Sequence, residues 1–342
     1  MHTARPTLKD VAERSGASLR TVKKVMSGDE SVRAKTREAI FQAAEELNYT
    51  RNRAASALAK NRVVNVAVVY SRTTEAYFPE IENGFKQVLR EFSDFGLRLE
   101  FCITGERGTK AQREILEQLL DREDLDGVIL QPYSASRLDD LIDALVDSGK
   151  TVVTFGADAP QSKRLCYVGP DAYRSGRIGA QILANYIGKR GKVYVINQGR
   201  DHMQTRDRSR GFMDRAAEHY PDIQIYEMYL PENSDLYYDM VLSILENDAI
   251  SGIFCTDANT LLAGRVLKAQ QNKDLVLVGF NLSDDGISLM KEGHIKVIID
   301  TKPETYAYLA TKTLYEYLSD GVLPERVIRT PVSILTSECF ED

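Results

Sequence analysis

Thr7-Leu8-Lys9-Asp10-Val11-Ala12-Glu13-Arg14-Ser15-Gly16-Ala17-Ser18-Leu19-Arg20-Thr21-Val22 sets the architecture at the start of the chain. Thr7 followed by Asp10 fits a helix start in which hydroxyl and carboxylate each satisfy a free backbone N–H of the first turn. A helix is therefore expected from about Leu8 to Ser15. Gly16 supplies the left-handed conformation that stops it, and Ser18 can cap a second helix through about Met26. Val11 and Ala12, with Val22 and Val25, would form the shared apolar seam. A third helix is expected from about Arg33 to Leu47, where Ile40, Ala43, Ala44 and Leu47 fall at i, i+3, i+4 and i+7. Two short helices joined by a tight glycine turn, with a third across them, form the pattern of a helix-turn-helix module.

Working outward, the charge is divided unevenly. Residues 1–60 hold twelve Lys and Arg against seven Asp and Glu, and the rest holds thirty-two against forty-three, so a basic head precedes an acidic body in a chain of net charge −6. That division suits a head that meets a polyanion and a body that does not. The 342 residues are 43% hydrophobic and 27% charged, with only 22 Gly and 10 Pro, which excludes collagen-like and disordered classes. No run of about 18 apolar residues occurs, and Met1 to Pro6 lacks the apolar stretch of a secretory signal, so a cytoplasmic, nucleoid-associated protein without membrane contact is expected. Cys102, Cys166, Cys255 and Cys339 show no paired spacing and are read as reduced, mostly buried small hydrophobes, with no metal site.

From Val64 onward β-branched runs alternate with helical stretches: 64–70, 97–103, 127–131, 151–155, 192–196, 223–229, 252–256, 275–280 and 295–301. Strand, helix, strand at this cadence means parallel sheets covered by helices, and this many strands suggest two doubly wound α/β subdomains. Ligands in such sheets bind beyond the carboxyl ends of the strands, where two rims can face each other across a cleft. No dinucleotide, phosphate-loop, serine-hydrolase or zinc-protease signature is present, and His2, His202, His219 and His294 have no partner at catalytic or metal spacing. A binding protein rather than an enzyme is expected. His202 follows a strand end, where it would face the cleft or the surface.

Thr7 to Ala12, Gly16-Ala17-Ser18, Thr21-Val22, Lys35-Thr36-Arg37 and Glu46-Leu47-Asn48-Tyr49 resemble the head of the LacI family of bacterial transcription regulators. The resemblance implies that the second helix enters the major groove of operator DNA, with Leu19, Arg20 and Lys24 at base edges. Arg20 can clasp a guanine by two hydrogen bonds and Leu19 can rest on a thymine methyl. Thr7, Ser18, Thr21, Lys23 and Ser31 complete the DNA-binding set, the last four suited to phosphates, which position the module without reading sequence. Lys23-Lys24 stands where the family usually has Ser-Arg. Arg51 to Ala59 reads as a short Ala-rich helix capped by Asn52, too short to be stable alone. In the family this stretch resembles the hinge helix, which pairs with its twin in a dimer and pushes a leucine between base steps; Asn52, Ala55 and Leu58 occupy the corresponding positions, with Arg51 and Ser56 where Pro and Arg are common.

The body resembles the periplasmic sugar-binding-protein fold of type I, in particular its ribose-binding branch. Val68-Val69-Tyr70-Ser71, Gly127 to Pro132, Arg206-Asp207-Arg208 before Gly211-Phe212, and Val278-Gly279-Phe280-Asn281 carry the likeness. In that branch the positions matching Ser71, Glu75, Tyr77, Phe78, Gln131, Arg206, Asp257, Asn281 and Thr301 line the sugar cleft. Tyr77 and Phe78 can stack on a sugar ring unless they pack in the core. Glu75, Gln131, Asp257 and Asn281 can bond hydroxyls, and Arg206 can donate two bonds unless Asp201 or Asp207 holds it. Gly156-Ala157, with Asp158 one step later, stands where the ribose pattern has Asp-Arg. The implied effector is a sugar, cyclitol or sugar phosphate, the last favoured by Arg206, Arg208 and Arg210, and no cofactor is implied.

The resulting expectation is a small all-α head at 1–49 and a hinge at 50–62. The two doubly wound subdomains would comprise 63–170 with 302–328, and 171–301 with 329–342. Its function would be that of a dimeric repressor of a pseudo-palindromic operator, controlled by a carbohydrate-like effector, the short tail after Ser333 favouring dimer over tetramer. A corepressor-dependent or activating regulator of the same build, and a sugar-binding transport component, are the alternatives.

Overall fold

The computed structural model describes residues 6–26, 31–47, 63–71, 78–105, 108–198, 202–230, 235–247 and 249–341. At its start α1 (Leu8–Ser15) opens on a reciprocal cap: the Asp10 N–H donates to Thr7 Oγ1 at 3.4 Å and the Thr7 N–H to Asp10 Oδ2 at 2.6 Å. Gly16 ends the helix at φ +68°, a backbone region a side chain disfavours, and its N–H reaches the carbonyls of Ala12 and Glu13. Ser18 opens α2 (Leu19–Met26) by accepting the Thr21 N–H at 3.1 Å. The third helix, α3 (Ala34–Glu46), stops one residue inside the expected span at each end. Val11, Ala12, Val22, Val25, Ile40 and Ala43 form the shared core, so the periodic apolar positions face one another as the pattern requires.

The body is two six-stranded sheets. The first is built from β1 (Val64–Ser71), α4 (Phe78–Phe92), β2 (Leu97–Thr104), α5 (Thr109–Leu120), β3 (Gly127–Leu130), α6 (Asp139–Asp147), β4 (Thr151–Phe155) and β5 (Cys166–Gly169). The second follows as α7 (Ala172–Tyr186), β6 (Gly191–Gln198), α8 (Met203–His219), β7 (Ile223–Leu230), α9 (Asp235–Asn247), β8 (Gly252–Cys255), α10 (Thr260–Ala269), β9 (Val276–Phe280), α11 (Asp284–Lys291) and β10 (Val297–Asp300). The chain then returns to the first unit as α12 (Pro303–Asp320) and β11 (Val327–Arg329), and crosses again to β12 (Ser333–Leu335). Strand order is β11-β5-β4-β3-β1-β2 in one sheet and β12-β10-β9-β8-β6-β7 in the other, parallel throughout except that β12 runs against β10.

Both faces of each sheet are covered, which is why the strands are apolar on both sides instead of alternating. Val64, Val66, Val68 and Tyr70 of β1 face α4 and α12, while Ala67 and Val69 face α5 and α6. In the second sheet Val193 and Val195 meet α7 and α8, and Ile196 packs toward α9, α10 and α11. Strands β5, β11 and β12, absent from the sequence expectation, have three or four residues each. Cys166 and Cys255 are buried as expected, whereas Cys102 is half-buried and Cys339 exposed; all four are free. Among the described residues no helix is long and apolar enough to cross a membrane.

Candidate functional site

On the head, Val22 and Val25 turn inward and leave Arg20, Lys23 and Lys24 exposed on α2. Lys24 Nζ donates to Ser31 Oγ at 3.3 Å, joining α2 to the approach to α3. Ser18 and Thr21 hydroxyls lie 2.8 Å apart at the start of α2, where the helix N-terminus also offers backbone N–H groups to an anion. Thr7 is exposed; its N–H and hydroxyl bind Asp10 and hold that carboxyl below the usual carboxylate range. Leu19 is half-buried against the head core. Asn52, Ala55 and Leu58 lie outside the described residues, as do Glu75 and Tyr77 of the cleft set.

In the body the remaining expected residues collect at the carboxyl ends of the strands. Ser71 ends β1 and accepts from Thr104 Oγ1, at the end of β2, at 2.8 Å. Gln131 follows β3, its N–H bonded to the Val69 carbonyl at 2.9 Å and its carbonyl to Gln112 Nε2 at 2.9 Å. Beyond β8, the Asp257 carboxylate accepts the N–H and Nδ2 of Asn259, at 2.9 and 3.2 Å, and so fixes the turn into α10. Asn281 follows β9 in the left-handed region, φ +68°, and Thr301 follows β10, buried.

Two of the expected residues sit differently from the reading above, and so does the aspartate at the departure from the ribose pattern. Phe78 is 3% exposed and stacks on Tyr70 with ring centroids 5.6 Å apart, so its ring faces the core; Phe78, Ile81, Phe85, Val88 and Phe92 form one inward stripe of α4. Arg206 points outward from α8, and Arg208 is carried inward instead. Arg208 is 3% exposed, lies 3.7 Å over the Phe280 ring and donates from Nη1 to the Thr256 carbonyl at 2.7 Å, between the ends of β8 and β9. Asp158 closes its own turn: both its oxygens accept from Arg164, at 2.5 and 2.8 Å, and one also accepts from Thr154 Oγ1 and the Ala159 N–H.

The Arg208 position has a sequence signal that runs against ordinary hydrophobic patterning. Thr205, Arg208, Ser209, Phe212 and Ala216 fall at i, i+3, i+4, i+7 and i+11, the inward stripe of α8, but three of the five are polar. They are buried because α7 and α8 approach closely at two glycines: a methyl added to Gly176 would stand 1.9 Å from the Arg208 carbonyl oxygen, and one on Gly211 2.0 Å from that of Tyr173. Behind Arg208 lies a polar set that sequence reasoning missed. Asn197 Oδ1 accepts from Thr256 Oγ1 at 2.8 Å, and Asn197 Nδ2 donates to Glu227 at 2.9 Å, which also accepts the Ser209 hydroxyl. Thr256 is thereby held by its side chain while its carbonyl holds the arginine.

The two subdomains touch at the first turn of α8. Gln204 Nε2 donates to the Gly156 carbonyl at 3.0 Å, the His202 ring stands edge-on to Tyr133 at 5.4 Å, and Met203 packs against the first-subdomain core around Ala135 and Leu138. Asp207 faces away from this contact; Arg210 pairs with it at 3.1 Å, and burial raises its carboxyl.

Comparison with known proteins finds separate matches for the head and the body. Residues 7–52 match the lacI family of bacterial regulatory proteins, and residues 66–321 match the periplasmic binding protein domain. The ribose import binding protein RbsB of Bacillus subtilis is 24% identical over 238 residues, 67% of this chain and 76% of that protein. The sucrose operon repressor of Pediococcus pentosaceus is 23% identical over 305 residues, 87% of this chain and 88% of its own. Among solved structures, GanP, a glucose-galactose binding protein from Geobacillus stearothermophilus, superposes with a TM-score of 0.74 at 21% identity, over 81% of this chain and 98% of GanP. The chain belongs to the periplasmic binding protein domain family, whose match spans residues 66–321, and carries a lacI-family head at residues 7–52: it is a DNA-binding transcription regulator whose helix-turn-helix head precedes an effector domain of periplasmic-binding-protein type I.

Proposed function

We propose that the protein is a cytoplasmic homodimeric repressor that releases a pseudo-palindromic operator when a carbohydrate-like effector occupies the cleft between its subdomains. The observation that carries this reading is the pairing of two differently placed cation sets: Arg20, Lys23 and Lys24 exposed on α2 of a lacI-type head, and Arg208 locked at the carboxyl ends of β8 and β9. Arg20 and Lys24 read base edges with Leu19, while Ser18, Thr21, Lys23, Ser31 and Thr7 hold phosphates. The domain limits proposed are 1–49 for the head, 50–62 for the hinge, and the two subdomains as 63–170 with 302–328 and 171–301 with 329–342.

Ser71, Gln131, Asp257, Asn281 and Thr301, with Glu75 and Tyr77, form the proposed polyol site, and Arg208 takes the role first given to Arg206. A carbohydrate is supported by relatives named for sucrose, ribose and glucose-galactose. The commitment of Asp158 to Arg164 favours an effector other than ribose, because that carboxylate is no longer an acceptor for it. A dimer is supported by exposed apolar side chains at corresponding sheet edges, Phe101 and Ile103 on β2 and Tyr226 on β7. Effector binding closes the cleft and shifts the two chains away from the orientation that lets Leu58 and its twin enter the minor groove, to the extent that the effector prefers the closed state.

The test is selection of genomic fragments by the purified, effector-free protein at about 0.15 M salt, with Arg20→Ala in parallel. One pseudo-palindrome enriched by the natural chain, and weakened by about 10-fold or more in the variant, is the expected result. Absence of any enriched site, both without ligand and with sugars and sugar phosphates present, overturns the reading.

A further inference from the structure

The connection from β10 to α12 passes from the second subdomain to the first. Asp300, at the end of β10, is paired with Ser333 in the second sheet. Glu304 opens α12, which packs along α4 so closely that a methyl on Gly84 would meet the Glu304 carbonyl at 2.3 Å. Glu80 lies in the first turn of α4. The three carboxylates line one cavity of about 460 Å³ beside the crossing, and the remaining groups facing it are Gln87 from α4, Lys302 from the crossing itself, and Thr305, Tyr308 and Leu309 from α12. Lys302 adopts left-handed backbone, φ +53°, and its N–H donates to Asp300 Oδ1 at 2.9 Å; the Tyr308 hydroxyl donates to Glu91 at 2.6 Å.

We propose that Glu80 is a proton-sensing element of the subdomain hinge, its ionised form favouring an orientation in which Asp300 stands farther away than it does here. The physical reason is the division of the three acids. Glu80 and Glu304 travel with the first subdomain and Asp300 with the second, so the repulsion between Glu80 and Asp300 depends on how the subdomains are turned. A proton held more tightly in one orientation than in the other shifts the population between them, and by reciprocity any ligand that turns the subdomains shifts the proton. Partial burial, followed by the charges of Asp300 and Glu304, pushes the Glu80 carboxyl up to about 7, within the range where a cell's pH varies.

The test measures inter-subdomain distance directly and needs no effector. Spin labels are placed on Glu114→Cys of α5 and on native Cys339, with Cys102→Ser, and the full chain is diluted with unlabelled protein so that only distances within one chain are read. Between about pH 6 and about pH 8.5 the distance distribution should shift with a midpoint near 7, Glu80→Gln should hold the low-pH distribution throughout, and Asp300→Asn should abolish the shift. A distribution that does not change with pH overturns the proposal, as does a Glu80→Gln variant that follows the natural chain. If Glu80→Gln does not fold, a pH-dependent shift retained in Asp300→Asn overturns it equally.

Discussion

The head and the cleft use the same chemical group in opposite ways. On the head, Arg20, Lys23 and Lys24 lie within five residues on one exposed helix, and no tertiary contact is needed to present them. In the proposed cleft, Arg208 is almost wholly buried, stacked on Phe280 and held by the Thr256 carbonyl, and the other residues of the proposed site range from Ser71 to Thr301. An exposed cation acts through a screened field on a polyanion and loses strength with salt. A buried one acts over a single hydrogen-bond length and depends on every residue that fixes it. The difference teaches where each function is vulnerable: the head through its charge, the cleft through its packing.

Three substitutions sharpen that comparison. The largest effect belongs to Asp158→Ala, which leaves the Arg164 guanidinium, 1% exposed, without its carboxylate. Loss of about 3–5 kcal/mol from the body is expected in chemical denaturation, with the head's own transition unmoved; a loss within the scatter of surface mutants would show that the pair does not hold the 156–165 turn. Next is Gly176→Ala, whose methyl would strike the Arg208 carbonyl. About 1–3 kcal/mol should be lost, and sugar binding measured calorimetrically should weaken while operator affinity at low salt is kept. Equal weakening of both would erase the distinction between head and cleft.

The smallest effect is Thr7→Ala, which removes the hydroxyl half of the α1 cap and should cost the head about 1 kcal/mol, read as faster amide exchange in α1 alone. This variant also tests a pH dependence. Because Thr7 lowers the folded-state Asp10 carboxyl below its usual 3.8, the cap's contribution is complete above that value and is lost as pH falls through the folded one. Acid titration of the natural head should show that loss, and Thr7→Ala should flatten it.

Much of the fold could be read before any coordinates. The capping pair Thr7 and Asp10, the stop at Gly16 and the cap at Ser18 are contained in a dozen residues, because each depends on atoms three or four positions apart. The body's long strands were legible for a related reason: sheets covered on both faces demand unbroken apolar runs. Strands β5, β11 and β12 were not, since they owe their pairing to neighbours far along the chain.

Residue types at the site were legible, and orientations were not. Phe78 suits a sugar face or a core equally well by composition; its place at the head of the α4 stripe puts it on Tyr70. Arg206 and Arg208 are both plausible from sequence, yet they stand about 200° apart around α8, so only one can face the strand ends. By itself the sequence determined the head, the two-sheet body and the kind of group available to each partner, since these follow from local capping, period and charge. The tertiary structure alone decided which arginine is carried to the ends of β8 and β9, because that depends on two glycines, Gly176 and Gly211, letting α7 and α8 meet in a single rotational register.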